Sequence, residues 1–192
     1  MTPPTDRPDR RVTDTRQRLI DTTLDLIDAH GRQGVTLTGV ARACGVTTPA
    51  CYKHFPSKTS LFNAALRQLS ATLGERAEHR LQDDPVESLL AIGMILVDLA
   101  ADHPHLFEFN QLSPEAVAAL ERPAEEHPLL AITRREVERL AAREEADSER
   151  LQLIIWSCLQ GYTRLIAVGA ASADPDFMRA ALHAVITIGD HS

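Results

Sequence analysis

In the stretch DTRQRLIDTTLDLIDAHG, positions Leu19, Thr23 and Leu26, and again Ile20, Leu24 and Ile27, recur three or four residues apart. That spacing lines one broad face of a helix. Asp14 is placed to cap it with Gln17 at the third position, and Gly31 suits its C-terminal stop. Later helices announce themselves with a proline in the first turn, where no amide hydrogen is needed: Asp84-Pro85, Ser113-Pro114, His127-Pro128 and Asp174-Pro175. Apolar-periodic runs follow over 85–103, 114–121, 128–143, 148–170 and 175–189, with further helices expected over 58–79 and 105–111. No segment reads convincingly as a strand. The pattern predicts an all-α chain.

Between Gly31 and Ser57 the helical segments become short. Thr36 is positioned to cap a helix running through Val40, Ala41 and Cys44, which Gly45 ends as a residue free to take positive φ. Thr47 then caps a second helix from Thr48 to about His54, with Pro49 in its first turn. Two short helices joined by a tight glycine turn form a helix-turn-helix, whose second helix fits the width of a DNA major groove. Val40, Ala41, Cys44, Val46, Cys51 and Phe55 are expected to form the buried seam against the first helix. Ala41 is small because the helices cross closely there.

Charge changes the picture by being unevenly spread. Over the 192 residues the net charge is −7. Residues 1–62 hold nine Lys and Arg against six Asp and Glu, a balance of +3, whereas residues 63–192 hold eleven against twenty-one, a balance of −10. Only the first segment suits an anionic partner. Both lysines of the chain, Lys53 and Lys58, fall inside it, beside Tyr52 and His54.

Several classes are set aside on residue content. No run of about 18 apolar residues is present, so no membrane span is expected. The opening MTPPTDRPDRRV is polar and proline-rich with no apolar stretch behind it, so it reads as a disordered arm, not a signal peptide. Cys44, Cys51 and Cys158 lack metal-ligand spacing and suggest packed thiols in a reducing, cytoplasmic setting. The eight histidines are scattered and assemble no catalytic set, so no catalytic residue, cofactor or metal is expected. His103 and His105 merely flank Pro104, and Glu144, Glu145 and Asp147 read as a solvated helix end.

With those positions fixed, TLTGVARACGVTTPACYKHFPSKTSLFNAAL resembles the DNA-binding signature of the TetR family of bacterial transcription regulators. The matching residues are Val40-Ala41, Gly45-Val46-Thr47, Tyr52-Lys53-His54-Phe55 and Ser57-Lys58. The resemblance implies that Tyr52, His54 and Lys58 meet backbone phosphates, with Lys58 adding the positive end of a new helix. It implies that Thr48, Pro49, Ala50 and Lys53 face base edges. Thr48 can bond to any base, Pro49 and Ala50 suit thymine methyls, and Lys53 reaches a guanine or a phosphate. Thr36, Thr38 and Thr47 add backbone contacts at helix N-termini, and Arg7, Arg10 and Arg11 are expected to form an arm into the minor groove. Two departures stand out: Gly39 takes a place usually acidic, which weakens the helix cap, and Cys51 replaces a common Leu or Ile. Further on, WSCLQGYTRLIAVG resembles the Trp-x-x-x-His-Gly motif of one C-terminal subclass, with Gln160 in place of His.

The expected plan is therefore a flexible arm over 1–13, a three-helix DNA-binding domain over 14–60, and an α-helical ligand-binding and dimerisation domain over 61–192. The last two long helices are apolar around much of their circumference, so they are assigned the homodimer interface through Leu151, Ile155, Cys158 and Tyr162, together with Ile166, Leu182, Val185 and Ile186. A cavity is expected to be lined by Met94, Val97, Phe107, Phe109, Gln111, Trp156 and Gln160, and to take an apolar small molecule. The function these expectations describe is a repressor, released by its ligand, that binds a pseudo-palindromic double-stranded operator as a homodimer. The rivals are a small all-α enzyme and a ligand-free architectural DNA binder.

Overall fold

A computed structural model describes residues 10–121 and 126–189. Among the described residues there are helices and connections only. In chain order these are α1 (Arg10–Gly34), α2 (Leu37–Ala43), α3 (Thr48–His54), α4 (Lys58–Glu78), α5 (Pro85–Asp102), α6 (Pro104–Leu112), α7 (Pro114–Ala119), α8 (Pro128–Glu144), α9 (Ser148–Ala167) and α10 (Pro175–Gly189).

Local chemistry accounts for nearly every boundary. The side chains of Asp84 and Ser113 accept the backbone N–H of Val86 and Ala116, while Asp174 accepts those of Asp176 and Phe177. Each stands directly before its proline, so a capping acceptor and a donor-free first residue work together. Ser57 and Ser60 exchange hydrogen bonds in a capping box that opens α4. Gly31, at φ 69° and ψ 161°, breaks α1 before one last turn.

The start of α1 differs from the expectation. The helix begins at Arg10, so Asp14 stands inside it and does not cap it. No proline or glycine lies between Pro8 and Gly31, so nothing in the sequence forbids those extra turns. Arg10 and Arg11 thus belong to helical backbone, and Arg7 lies outside the described residues.

The first three helices close around Leu19, Ile20, Val40, Cys51 and Phe55, all buried, with Val46 packed on their edge. This is the seam read from the sequence, and Ala41, 1% exposed, sits at its crossing. Helix α4 leaves this head and runs through the body, packing on α1 at one end and on α8 at the other. The α4–α8 crossing is close: a Cβ added at Gly74 would lie 2.9 Å from Cβ of Pro128. Helices α5, α8 and α9 pack against one another, and α10 lies on α5 and α9. One apolar core runs continuously from head to body.

Candidate nucleic-acid interface and cavity

The head presents α3 through two capped N-termini. Thr36 Oγ1 accepts the N–H of Gly39 at 3.0 Å, and Thr47 Oγ1 accepts the N–H of Ala50 at 3.3 Å. The cap of α2 therefore forms despite Gly39, and each capping hydroxyl still has a proton to donate outward. At the turn, Gly45 sits at φ 69°, and Val46 N–H reaches Ala41 O at 2.9 Å while Gly45 N–H reaches Arg42 O at 3.1 Å. This is the paired closure that left-handed glycine permits at a helix C-terminus.

The faces of α3 then separate cleanly. Cys51, on the helix, and Phe55, just after it, turn into the seam. Pro49, Tyr52 and Lys53 are exposed, Tyr52 at 49%, and Thr48, Ala50 and His54 are half-buried. Thr36, Thr38 and Thr47 are exposed as well. One outer surface thus gathers hydroxyls, a phenol, an imidazole and an ammonium, all able to donate to phosphate or base acceptors. Two arginines escaped the sequence reading. Arg18 donates through Nη2 to Cys44 O at 2.7 Å, bracing α2 on α1, and Arg16 lies 5.0 Å over the Phe55 ring. Both partners are close only in the fold, so no spacing signals them. Burial pushes the Cys51 thiol up, and nearby Cys44 adds to it, so this sulfur is a poor nucleophile.

Lys58 sits differently from the other donors. It is half-buried at the start of α4, with Nζ 4.9 Å from the Phe62 ring centroid. Burial lowers its pKa, the charge of Arg32 lowers it further, and Glu115 partly offsets both. Reaching a phosphate requires it to leave that ring.

Beside it lies the junction of head and body. Arg32, just past the break in α1, donates twice to Glu115 of α7, with both contacts at 2.8 Å. Glu115 is 5% exposed. Burial alone would push its carboxyl up, but the hydrogen bonds and charge of Arg32, with hydrogen bonds from its own backbone N–H and from Ser113, outweigh that and hold it below the usual range. Arg32 also stacks 5.2 Å over Phe62, which meets Phe109 edge-on at 5.8 Å. At the start of α6, His103 Nδ1 lies 2.8 Å from Asp28 Oδ2 and His105 Nδ1 lies 2.8 Å from Asp28 O, tying α6 to α1.

In the body, α4 to α9 line a partly open cavity of about 110 Å³. Gln111 and Trp156 line it, as expected from the sequence. The other five expected residues are elsewhere. Val97, Phe107 and Phe109 are 1% exposed or less and fill the core, Met94 packs on that core, and Gln160 donates to Gln111 Oε1 at 2.6 Å from behind the wall. The wall is completed by residues that sequence reasoning did not single out, among them Ser70, Ala116, Ala119 and Thr133. Small and weakly polar residues of this kind carry no signature until helices converge on them.

The expected dimer residues need correction. Leu151, Tyr162, Ile166 and Leu182 are buried in the chain's own core, and Ile155 lines the cavity. Cys158 and Ile186 are half-buried, and the side chain of Val185 lies outside the described residues. The outward strip of α9 is instead Leu153, Ser157, Gly161 and Leu165, continued by Val168 just past its end, with Leu153 and Val168 each 59% exposed. The helix is apolar on both sides, so periodicity alone did not distinguish inward from outward.

Among the described residues no group of three or more His, Cys, Asp or Glu side chains could hold a metal ion, and no helix is long and apolar enough to cross a membrane.

Residues 19–65, spanning these head helices, match the family described as "Bacterial regulatory proteins, tetR family". Over 168 residues the chain is 30% identical to a nucleoid occlusion factor SlmA of Glaesserella parasuis, covering 87% of this chain and 74% of that protein. The SlmA of Actinobacillus pleuropneumoniae is 29% identical over 100 residues, half of each chain. The chain thus spans about half the length of that relative. In three dimensions, a TetR family transcription regulator from Marinobacter aquaeolei superposes with a TM-score of 0.68 at 15% identity, over 93% of this chain and 96% of the other.

Proposed function

The chain belongs to the TetR family of bacterial regulatory proteins, and from that premise we propose that it is a DNA-binding transcriptional regulator. In this reading it is a cytoplasmic, non-enzymatic repressor that grips a pseudo-palindromic operator as a homodimer and lets go when a small apolar molecule fills its cavity. The observation that carries the reading is the outer surface of α3. Pro49, Tyr52 and Lys53 are exposed and Thr48 half-buried on a helix held in the seam by Cys51 and, just past its end, Phe55.

One such module offers few contacts, and modules of this kind bind two half-sites about one helical turn apart as two-fold dimers. The exposed α9 strip around Gly161 supports a second copy as the partner, because a Cβ added at Gly161 meets nothing within 4 Å. We assign residues 14–60 to DNA and 61–192 to ligand and dimer, with 1–13 as an arm. We read Trp156 to Gly161 as a variant of the Trp-x-x-x-His-Gly motif in which Gln160 holds Gln111. Coupling runs by two routes. Helix α4 carries Lys58 at one end and the cavity residues Leu66 and Ser70 further along. Helix α7 carries Glu115 to Arg32 beside Ala116 and Ala119 on the cavity wall. A shift of either helix re-aims the recognition helix, and coupling of about 1–3 kcal/mol is typical of such switches.

The name of the SlmA relatives favours a second reading, a DNA-bound occlusion factor with no small-molecule control. Selection of bound fragments from genomic DNA, with purified protein at low ionic strength, tests the shared premise. Retention of specific duplexes by a dimer is expected, with Thr48→Ala changing which duplexes are kept and Leu165→Glu yielding monomers. Failure to retain any duplex overturns both readings. Retention that no ligand relieves selects the second.

A further inference from the structure

The chemistry of the cavity wall narrows what can enter. Among the described residues, no Asp, Glu, Lys or Arg lines it. A cation would shed its hydration and meet no counter-charge, which is far costlier than burying a neutral group, and an anion would find only the imidazole of His127, the one titratable side chain on the wall. The volume of about 110 Å³ compares with the roughly 150 Å³ of an apolar cavity that holds benzene. One flank is apolar, where α9 contributes Ile155, Trp156 and Leu159.

The other flank is polar, and its hydrogen bonds leave specific capacity. Ser70 Oγ accepts Leu129 N–H at 3.4 Å, which leaves its own proton to donate. Thr133 Oγ1 donates to Leu129 O at 2.8 Å and can still accept. Gln111 accepts from Gln160 through its oxygen, leaving its NH2 as a donor. Ser70 and Thr133 thus both bond the backbone of Leu129 in the first turn of α8, the first leaving a donor and the second an acceptor on the cavity wall.

We propose that the cavity binds an uncharged ligand of about one six-membered ring, carrying a hydroxyl or an equivalent donor–acceptor group, with its ring against Trp156 and its polar group toward Ser70 and Thr133. This rests on reading the cavity as the effector site. A hydrocarbon of the same size would fill the apolar flank but leave the polar one without partners.

Trp156 is the only tryptophan of the chain and lines the cavity while remaining 38% exposed, so a saturable change in its emission at constant oligomeric state reports on the cavity. The full-length protein is titrated at neutral pH with phenol, toluene, benzoate and benzylamine, four probes of one ring differing in charge and hydrogen bonding. Phenol is expected to shift Trp156 emission saturably, with toluene about 10-fold weaker, benzylamine at least about 100-fold weaker, and benzoate weaker than phenol but tighter than benzylamine. Gln111→Glu is expected to reverse the ranking for benzylamine, admitting the cation. Binding of either ion as tightly as phenol overturns the inference, and so does the absence of a saturable shift with any probe. Ala119→Leu, which fills the wall, should abolish the phenol shift, and a shift that persists there also overturns it. Duplex retention is measured separately on the same protein without any probe. Phenol binding by a protein that retains no duplex would strike the regulator reading, and duplex retention by a protein that binds no probe would strike this one.

Discussion

The head and the body are built from the same element and yet speak differently. In α1 to α3 most exposed positions are polar, and the apolar side chains gather in the seam between the helices. In α5 to α10 the interesting features are a void, a strip of exposed apolar residues and a junction fastened by Arg32 and Glu115. A surface specified by donors is written residue by residue. A void is defined by what several helices leave out, and it has no residue of its own.

The largest effect that would sharpen this contrast is expected in the seam. Cys51 is fully buried on α3 with its thiol pushed toward the neutral form. Cys51→Asp places an unpaired carboxylate there, which costs about 4 kcal/mol or forces the group to protonate. Duplex binding should vanish while phenol still shifts Trp156 emission. If both are lost together, head and body do not fold as separable layers.

Next comes the body's tightest contact. A Cβ at Gly74 would meet Pro128 Cβ at 2.9 Å and the backbone N of Leu129 at 3.2 Å, and backbone cannot step aside. Gly74→Val should therefore cost about 3 kcal/mol, read as a fall in Tm, and should distort the Leu129 corner of the cavity. A Tm within the error of the parent protein would mean that α8 slides freely on α4, and the rigid-body picture of coupling would fail.

Legibility follows the same division. The sequence disclosed the helix starts because Asp84, Ser113 and Asp174 each precede a proline, and the observed caps use those side chains. It disclosed the recognition unit because Thr36, Gly45 and Thr47 are demanded by local backbone geometry. It misplaced Phe107 and Phe109, whose bulk suggested a wall but fills the core, since a cavity forms beside small residues such as Ala116 and Ala119. It chose Tyr162 for a partner subunit, whereas its phenol accepts Asp174 N–H at 2.7 Å and donates to Ser172 O at 2.9 Å within the chain. Those outcomes depend on which side of a doubly apolar helix meets its neighbours, and periodicity is silent on that.

A smaller effect is expected at the junction. Glu115→Gln keeps the shape but removes the charge that Arg32 holds in two hydrogen bonds, at a cost of about 2 kcal/mol. The pH dependence has a definite sign. Because the folded-state pKa of Glu115 is depressed, the pair stabilises the protein above the ordinary carboxylate range, and the contribution is lost as pH falls through the depressed value. The variant should lose that part of the acid dependence of Tm. An unchanged acid limb would show that the pair carries no weight in joining head to body.

The smallest effect is expected at Lys58, at the start of the helix that runs from head to body. Resting on Phe62 is worth about 0.5–1 kcal/mol to an ammonium, and that contact must be surrendered before Nζ can reach a phosphate. Lys58→Ala should therefore weaken duplex binding by only about 1 kcal/mol, roughly uniformly across sequences, while the salt slope falls by about one unit. A phosphate contact raises the pKa of the ammonium above its lowered free value. The contribution is thus fully present below that free value and fades as pH rises through the value in the complex. An affinity loss without a change in slope would keep Lys58 on its ring, as a brace for α4. The phosphate contacts of the head would then rest on Tyr52, Lys53, His54 and the threonine caps.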